Sequence, residues 1–212
     1  MPRPFLLLDV DNTLYAPSCG VVERVDVLIN RYLVERMSFD PAEVDGIRRS
    51  LWSDYGTTLH GLMRRNNIDP VDYLDFVYAI ELTDILTLDP ALAAMLGRIP
   101  QLKVAVTNGS AAHAEGVLDC LGVRELFFRV YGLEHLAFIP KPYVQAYHTV
   151  LDDLHAHGRD CILVEDRAVN LKAARQLGMR TVFVCDGGQP APDADANIRS
   201  IAELETALDA LE

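Results

Sequence analysis

Basic residues are scarce in this chain: 19 Lys and Arg stand against 31 Asp and Glu, a formal charge of −12 over 212 residues. Nucleic-acid polymers and anionic membranes attract proteins through a cationic field, so neither is an expected partner, and any anionic substrate must be held locally. Cysteine is sparse as well. Cys19, Cys120, Cys161 and Cys185 lie far apart with no Cys-x-x-Cys, which favours free, reduced thiols over a disulfide framework or a thiolate metal site. No apolar stretch is long enough to span a bilayer, and Met1-Pro2-Arg3-Pro4 leads directly into a first apolar run, so a soluble cytoplasmic protein is expected. Low-complexity tracts and internal repeats are missing too. With half its residues hydrophobic, the chain has the composition of one globular domain, or of a core domain carrying a modest insertion.

Short apolar runs supply the framework. Phe5-Leu6-Leu7-Leu8 reads as a strand covered on both faces, and similar runs recur at Leu102 to Thr107, Phe128 to Tyr131, Cys161 to Val164 and Thr181 to Val184. Helical segments separate most of them. Ser110 is placed to cap a helix ending near Gly122, a second helix follows Lys141-Pro142 to about His155, and a third follows Asp166 to Gly178. Ser200-Ile201-Ala202-Glu203 has capping-box spacing and predicts a last amphipathic helix. Alternation of this kind predicts an α/β fold with a parallel, doubly wound sheet and right-handed crossovers. Residues 16–86 break the rhythm, with helical patterns and no convincing strand. Asp40-Pro41 and Asp69-Pro70 each place a capping Asp before a proline at a first helical position. The expected division is therefore a catalytic core of residues 1–15 and 87–212 and an inserted helical cap of residues 16–86 over the site.

The chemistry begins at Asp9-Val10-Asp11, directly after the first strand. Ligands bind at the carboxyl edge of open α/β sheets. Two neighbouring carboxylates repel unless a cation joins them, which asks for a hard ion such as Mg²⁺. Other strand ends carry complementary groups: Thr107-Asn108 before a helix N-terminus, Lys141 before Pro142, and Glu165-Asp166 followed by Asn170. Singly, Thr107 could be an ordinary strand residue, Lys141 a solvated cation and Glu165-Asp166 a helix cap. Together they suit phosphoryl transfer. Asp9 is the expected nucleophile, forming an aspartyl-phosphate, and Asp11 the general acid and then base. Asp9, the Asp11 carbonyl and Asp166 are the expected Mg²⁺ ligands, with Glu165 holding a metal-bound water and Asn170 orienting Lys141. Asn12, Thr107, Asn108 and Lys141 are the expected phosphate-binding residues.

These motifs resemble the haloacid dehalogenase superfamily: Asp9-Val10-Asp11-Asn12-Thr13-Leu14, Thr107-Asn108-Gly109, Lys141-Pro142, and Glu165-Asp166 with Asn170. The resemblance implies a Rossmann-like core, a helical cap after the first strand, and Mg²⁺-dependent hydrolysis. Members that cleave carbon–halogen bonds characteristically lack the second Asp, here Asp11, so phosphatase chemistry is implied. Leu14-Tyr15-Ala16-Pro17 and Tyr55-Gly56-Thr57-Thr58-Leu59-His60-Gly61-Leu62 are similar to the pyrimidine 5′-nucleotidase-like branch. That likeness makes Tyr55, Thr57 and Thr58 candidate specificity residues for a small phosphorylated metabolite. A sugar phosphomutase of the β-phosphoglucomutase kind and a phosphate-responsive signalling module are the rival readings. The six histidines show no metal-ligand constellation and are expected on surfaces or helices; Arg48-Arg49 and Arg64-Arg65 are expected mainly as helix-surface charges.

Overall fold

A computed structural model describes residues 4–211; the approach of Met1-Pro2-Arg3 to the first strand lies outside the described residues. Strand β1 (Phe5–Leu8) is central in a six-stranded sheet completed by β2 (Leu102–Val106), β3 (Phe127–Tyr131), β4 (Cys161–Glu165), β5 (Arg180–Val184) and β6 (Ala196–Ile198). The order is β3-β2-β1-β4-β5-β6 and every pairing is parallel. The chain winds outward from β1 through β2 to β3, then returns to the other side of β1 at β4. That reversal opens a crevice at the carboxyl end of β1.

Strand periodicity divides the core. Leu6, Leu8, Ala105, Ile162, Val164 and Val182 face one apolar layer, while Leu7, Val104, Val106, Leu163 and Phe183 face the other. The first layer is covered by α5 (Pro90–Arg98), α6 (Ala111–Leu121) and α9 (Leu204–Asp209), the second by α7 (Val144–Asp153) and α8 (Ala168–Gln176). This is the α/β, Rossmann-like doubly wound fold expected from the alternating runs.

Four further helices, α1 (Val21–Glu35), α2 (Val44–Tyr55), α3 (Thr58–Asn66) and α4 (Pro70–Val77), build their own apolar cluster around Tyr32, Leu33, Leu51, Leu59, Leu62 and Tyr73. Allegiance changes before residue 86: Leu82 and Leu86 are buried in the sheet-side layer, with Ile80 and Ile85 packed against it. Asp69 caps α4 through Val71 N, with Pro70 in the first turn, as its spacing predicts. Asp40-Pro41 behaves differently. Asp40 closes a local turn by accepting from Ala42 N, and α2 begins only at Val44. Pro142 likewise does not start a helix, since α7 begins at Val144 after Tyr143. At the last helix Ser200 makes no side-chain cap; Glu203 instead accepts from Arg199 N, and a short 3₁₀ turn precedes α9. No helix among the described residues is long and apolar enough to cross a membrane.

Candidate active site

The chain leaves β1 with Asp9 N still donating to Val164 O of β4, at 3.0 Å. A turn follows, in which Asn12 takes a left-handed conformation at φ 60° and Thr13 N and Leu14 N both donate to Val10 O. The two carboxylates line one cavity but take different partners. Thr13 Oγ1 donates to Asp9 Oδ2 at 3.0 Å, while Tyr15 Oη donates to Asp11 Oδ1 at 2.6 Å.

Lys141 enters from beyond β3 and is almost fully buried. Its Nζ donates to Asp9 Oδ1 at 2.7 Å, Glu165 Oε2 at 2.8 Å and Val106 O at 2.7 Å, which uses all three ammonium protons. Burial alone would depress the ammonium, but the Asp9 and Glu165 carboxylates outweigh it and hold Lys141 above its ordinary range. Asn108 fixes the backbone beneath: its side-chain amide donates to Lys141 O at 2.9 Å and its oxygen accepts from Lys141 N at 2.8 Å. Thr107 is buried, with Oγ1 accepting from Gly109 N at 2.9 Å.

Asp9, Glu165 and Asp166 bring one carboxylate oxygen each to within 4.8 Å of one another. Burial, then Glu165, raises Asp9; burial, then Asp9 and Glu165, raises Asp166. Burial also acts against a charged Glu165, but Lys141 and hydrogen bonds from Asp166 and Asn170 keep it below its usual range. Three carboxyl groups, those of Asp9 and Glu165 buried and that of Asp166 partly so, face one ammonium, and the donor set is all oxygen. That chemistry fits a hard divalent cation such as Mg²⁺. Glu165 is engaged directly by Lys141 through Oε2, and Asn170 hydrogen-bonds Glu165, so it touches Lys141 only through that carboxylate.

Across the cavity, His113 Nε2 lies 2.8 Å from Asp11 Oδ1, the oxygen that Tyr15 also reaches. Burial resists ionisation of Asp11, yet these two partners hold it below the usual carboxylate range. The imidazole lies against the Tyr78 ring, centroids 4.4 Å apart. Tyr78 in turn sits over Gly109, where an added Cβ would meet its hydroxyl at 2.9 Å. His113 on α6 and His60 on α3 hold helix positions, as expected of the histidines, but both are buried rather than on the surface.

The cavity measures about 560 Å³ and takes in Asp9, Asp11, Asn12, Thr107, Asn108, Lys141, Glu165, Asp166 and Asn170. Thr57 and Thr58 line its helical wall, but Tyr55 does not: Arg65 of α3 stacks on its ring and donates to its hydroxyl, drawing it away. Trp52 and Arg48 occupy that wall instead. Arg48 is mostly buried and neutralised by Asp26 at 2.6 Å and Asp45 at 3.3 Å, so it is not a freely solvated helix charge. Arg167, next to Asp166, places its guanidinium 4.3 Å over the Trp52 ring and donates to Gly56 O at 3.4 Å. Tyr15, His113, Trp52 and Arg167 have no local signal of their roles, because each depends on a partner brought close only by the fold.

Comparison with known proteins bears on family and fold. A model of the haloacid dehalogenase-like hydrolases matches residues 6–178. Phosphate metabolism protein 8 of Saccharomyces cerevisiae is 25% identical over 196 residues, 85% of this chain, and the chain spans 61% of that protein's length. Among solved structures, L-2-haloacid dehalogenase from Xanthobacter autotrophicus, with chloropropionic acid covalently bound, aligns with a TM-score of 0.65 at 14% identity, covering 99% of this chain and 100% of that one. An HAD phosphatase from Thermococcus onnurineus aligns with a TM-score of 0.63 at 17% identity, covering 98% of each chain.

Proposed function

The chain belongs to the haloacid dehalogenase-like hydrolases, and within that family we propose that it is a Mg²⁺-dependent phosphomonoesterase acting on a small phosphorylated metabolite. The observation that carries this reading is that Asp11 lines the same cavity as the Asp9–Lys141–Glu165 cluster and is bound to none of its members. A hydrolase that only displaces a leaving group on Asp9 has no need of a second acid there. Ester cleavage has, because an alkoxide leaves poorly without a proton.

The roles divide accordingly. Asp9 attacks phosphorus, forming an aspartyl-phosphate as the ester bond breaks. The arriving phosphate dianion favours the protonated form of Asp11, which protonates the departing oxygen and then receives a proton from the attacking water. Lys141 through its positive charge, the Thr107 hydroxyl and the Asn108 amide stabilise the transferring oxygens. Asp9 and Asp166, with Glu165 beside them, would hold Mg²⁺, which supplies the positive charge that lets an anionic phosphate approach these carboxylates. Thr57, Thr58 and Trp52 face the leaving group, and pyrimidine nucleoside monophosphates are the first substrates to try.

The test is phosphate release from nucleoside monophosphates and sugar phosphates, with Mg²⁺ or chelator, for the native protein and Asp9→Asn. Mg²⁺-dependent release that disappears in the variant is expected. Halide release from a 2-haloacid with no phosphate release, or sugar-phosphate isomerisation without net hydrolysis, would overturn the assignment.

A further inference from the structure

Two buried groups have no part in the phosphoryl-transfer chemistry so far: the Tyr15 hydroxyl and the His113 imidazole. They converge on one atom. Tyr15 Oη lies 2.6 Å and His113 Nε2 2.8 Å from Asp11 Oδ1. A carboxylate oxygen offers two lone pairs, so two donors fill it. His113 Nδ1 is buried with no partner. An orphaned buried N–H is rarer than an orphaned acceptor, so the imidazole proton belongs on Nε2, where Asp11 receives it. Tyr78, packed on the ring, fixes its plane.

The other oxygen is left free. Asp11 Oδ2 has no protein partner among the described residues, and it is not sealed off, since the side chain keeps 21% of its exposure and lines the cavity. We propose that Tyr15 and His113 are positioning residues that occupy Oδ1 and so assign the transferable proton of Asp11 to Oδ2. The proposal rests on the phosphomonoesterase reading.

In the first half-reaction the Asp9–phosphorus bond forms and the ester P–O bond breaks. Its electron pair goes to the leaving oxygen, which takes the proton from Asp11 Oδ2. In the second, a water oxygen bonds to phosphorus and gives its proton to Oδ2, and the Asp9–phosphorus bond breaks to release phosphate. Both proton transfers use one atom whose direction is set by donors on the other.

The experiment compares kcat/KM across alkyl, phenyl and 2,4-dinitrophenyl phosphates for the native protein, His113→Ala, His113→Gln, Tyr15→Phe and Asp11→Asn. A leaving group that needs no proton is indifferent to how Asp11 is aimed. His113→Ala should lose about 100-fold on the alkyl ester and far less on the dinitrophenyl ester, a pattern that Asp11→Asn shows in stronger form. His113→Gln, whose amide can donate from near the Nε2 position, should restore most of the alkyl-ester rate. Tyr15→Phe removes one hydroxyl and keeps the ring, so it tests the same selectivity if His113→Ala fails to fold. Equal losses on every ester, or none, would overturn the positioning role while leaving the hydrolase reading intact. A native protein that releases phosphate from no ester would overturn the hydrolase reading, and this proposal with it.

Discussion

The Asn108 side chain grips the Lys141 backbone at both ends of its amide, donating to the carbonyl at 2.9 Å and accepting from the N–H at 2.8 Å. The end of β2 and the loop before α7, 33 residues apart, are thereby tied together, and the Lys141 ammonium inherits a fixed origin. Asn108→Ala should cost about 1–3 kcal/mol, the penalty for leaving partly buried backbone groups unpaired, and should lower turnover with it. Urea unfolding and steady-state rates check both. Unchanged stability would show that the grip is incidental.

Lys141→Met should be more damaging. It leaves Asp9 and Glu165 buried beside each other without their cation, and breaking a buried pair in this way costs about 3–5 kcal/mol. Glu165→Gln in the same chain should recover part of the loss. A double-mutant cycle in urea measures the coupling, and additive losses would contradict the arrangement.

Mg²⁺ should raise the melting temperature. A ligand of the native state present at about 100 times its Kd adds about 2.7 kcal/mol, several degrees for a chain of this size. Asp166→Asn should weaken the response by removing one of the three converging carboxylates. A melting curve indifferent to Mg²⁺ in both proteins would count against the site.

Asp195 offers a pH test away from the cavity. It accepts from Thr181 N at 2.7 Å, Thr181 Oγ1 at 2.9 Å and Arg175 at 2.7 Å. Burial works against its charge, but these partners outweigh it and hold the carboxyl below its ordinary value of 3.8. A folded value below the unfolded one means stability that is present above 3.8 and lost as pH falls through the depressed value. Asp195→Asn should therefore be less stable than the native protein at neutral pH, with the gap closing below 3.8. A gap that stays constant in acid would refute the ionic contribution.

Much of this molecule could be read locally. Phe5–Leu8 is apolar on both faces because β1 is covered on both, and Ser110 does accept from His113 N to cap α6, which ends at left-handed Gly122. Asp89 caps α5 by accepting from Leu92 N, with Pro90 in the first turn, the same signature as Asp69-Pro70, and that signal was available in the sequence. Other features had no local trace. Strand β6 has only three residues, and Asp195 just before it is tied to Thr181. His113 meets Asp11 across 102 positions, and Arg167 reaches Trp52 across 115. Tertiary context decided such pairs, and periodicity carries no information about them.

Trp52 is the single tryptophan of the sequence. It belongs to the helical wall, half exposed, and the cation stacked on it follows Asp166 at the sheet edge. Indole emission responds to a charge held against the ring, so any change in spacing between the helices and the sheet edge is reported optically without a label. The same fluorophore, excited during stopped-flow mixing with phosphate or a substrate, turns the Arg167 contact into a readout of whether, and how fast, that spacing responds.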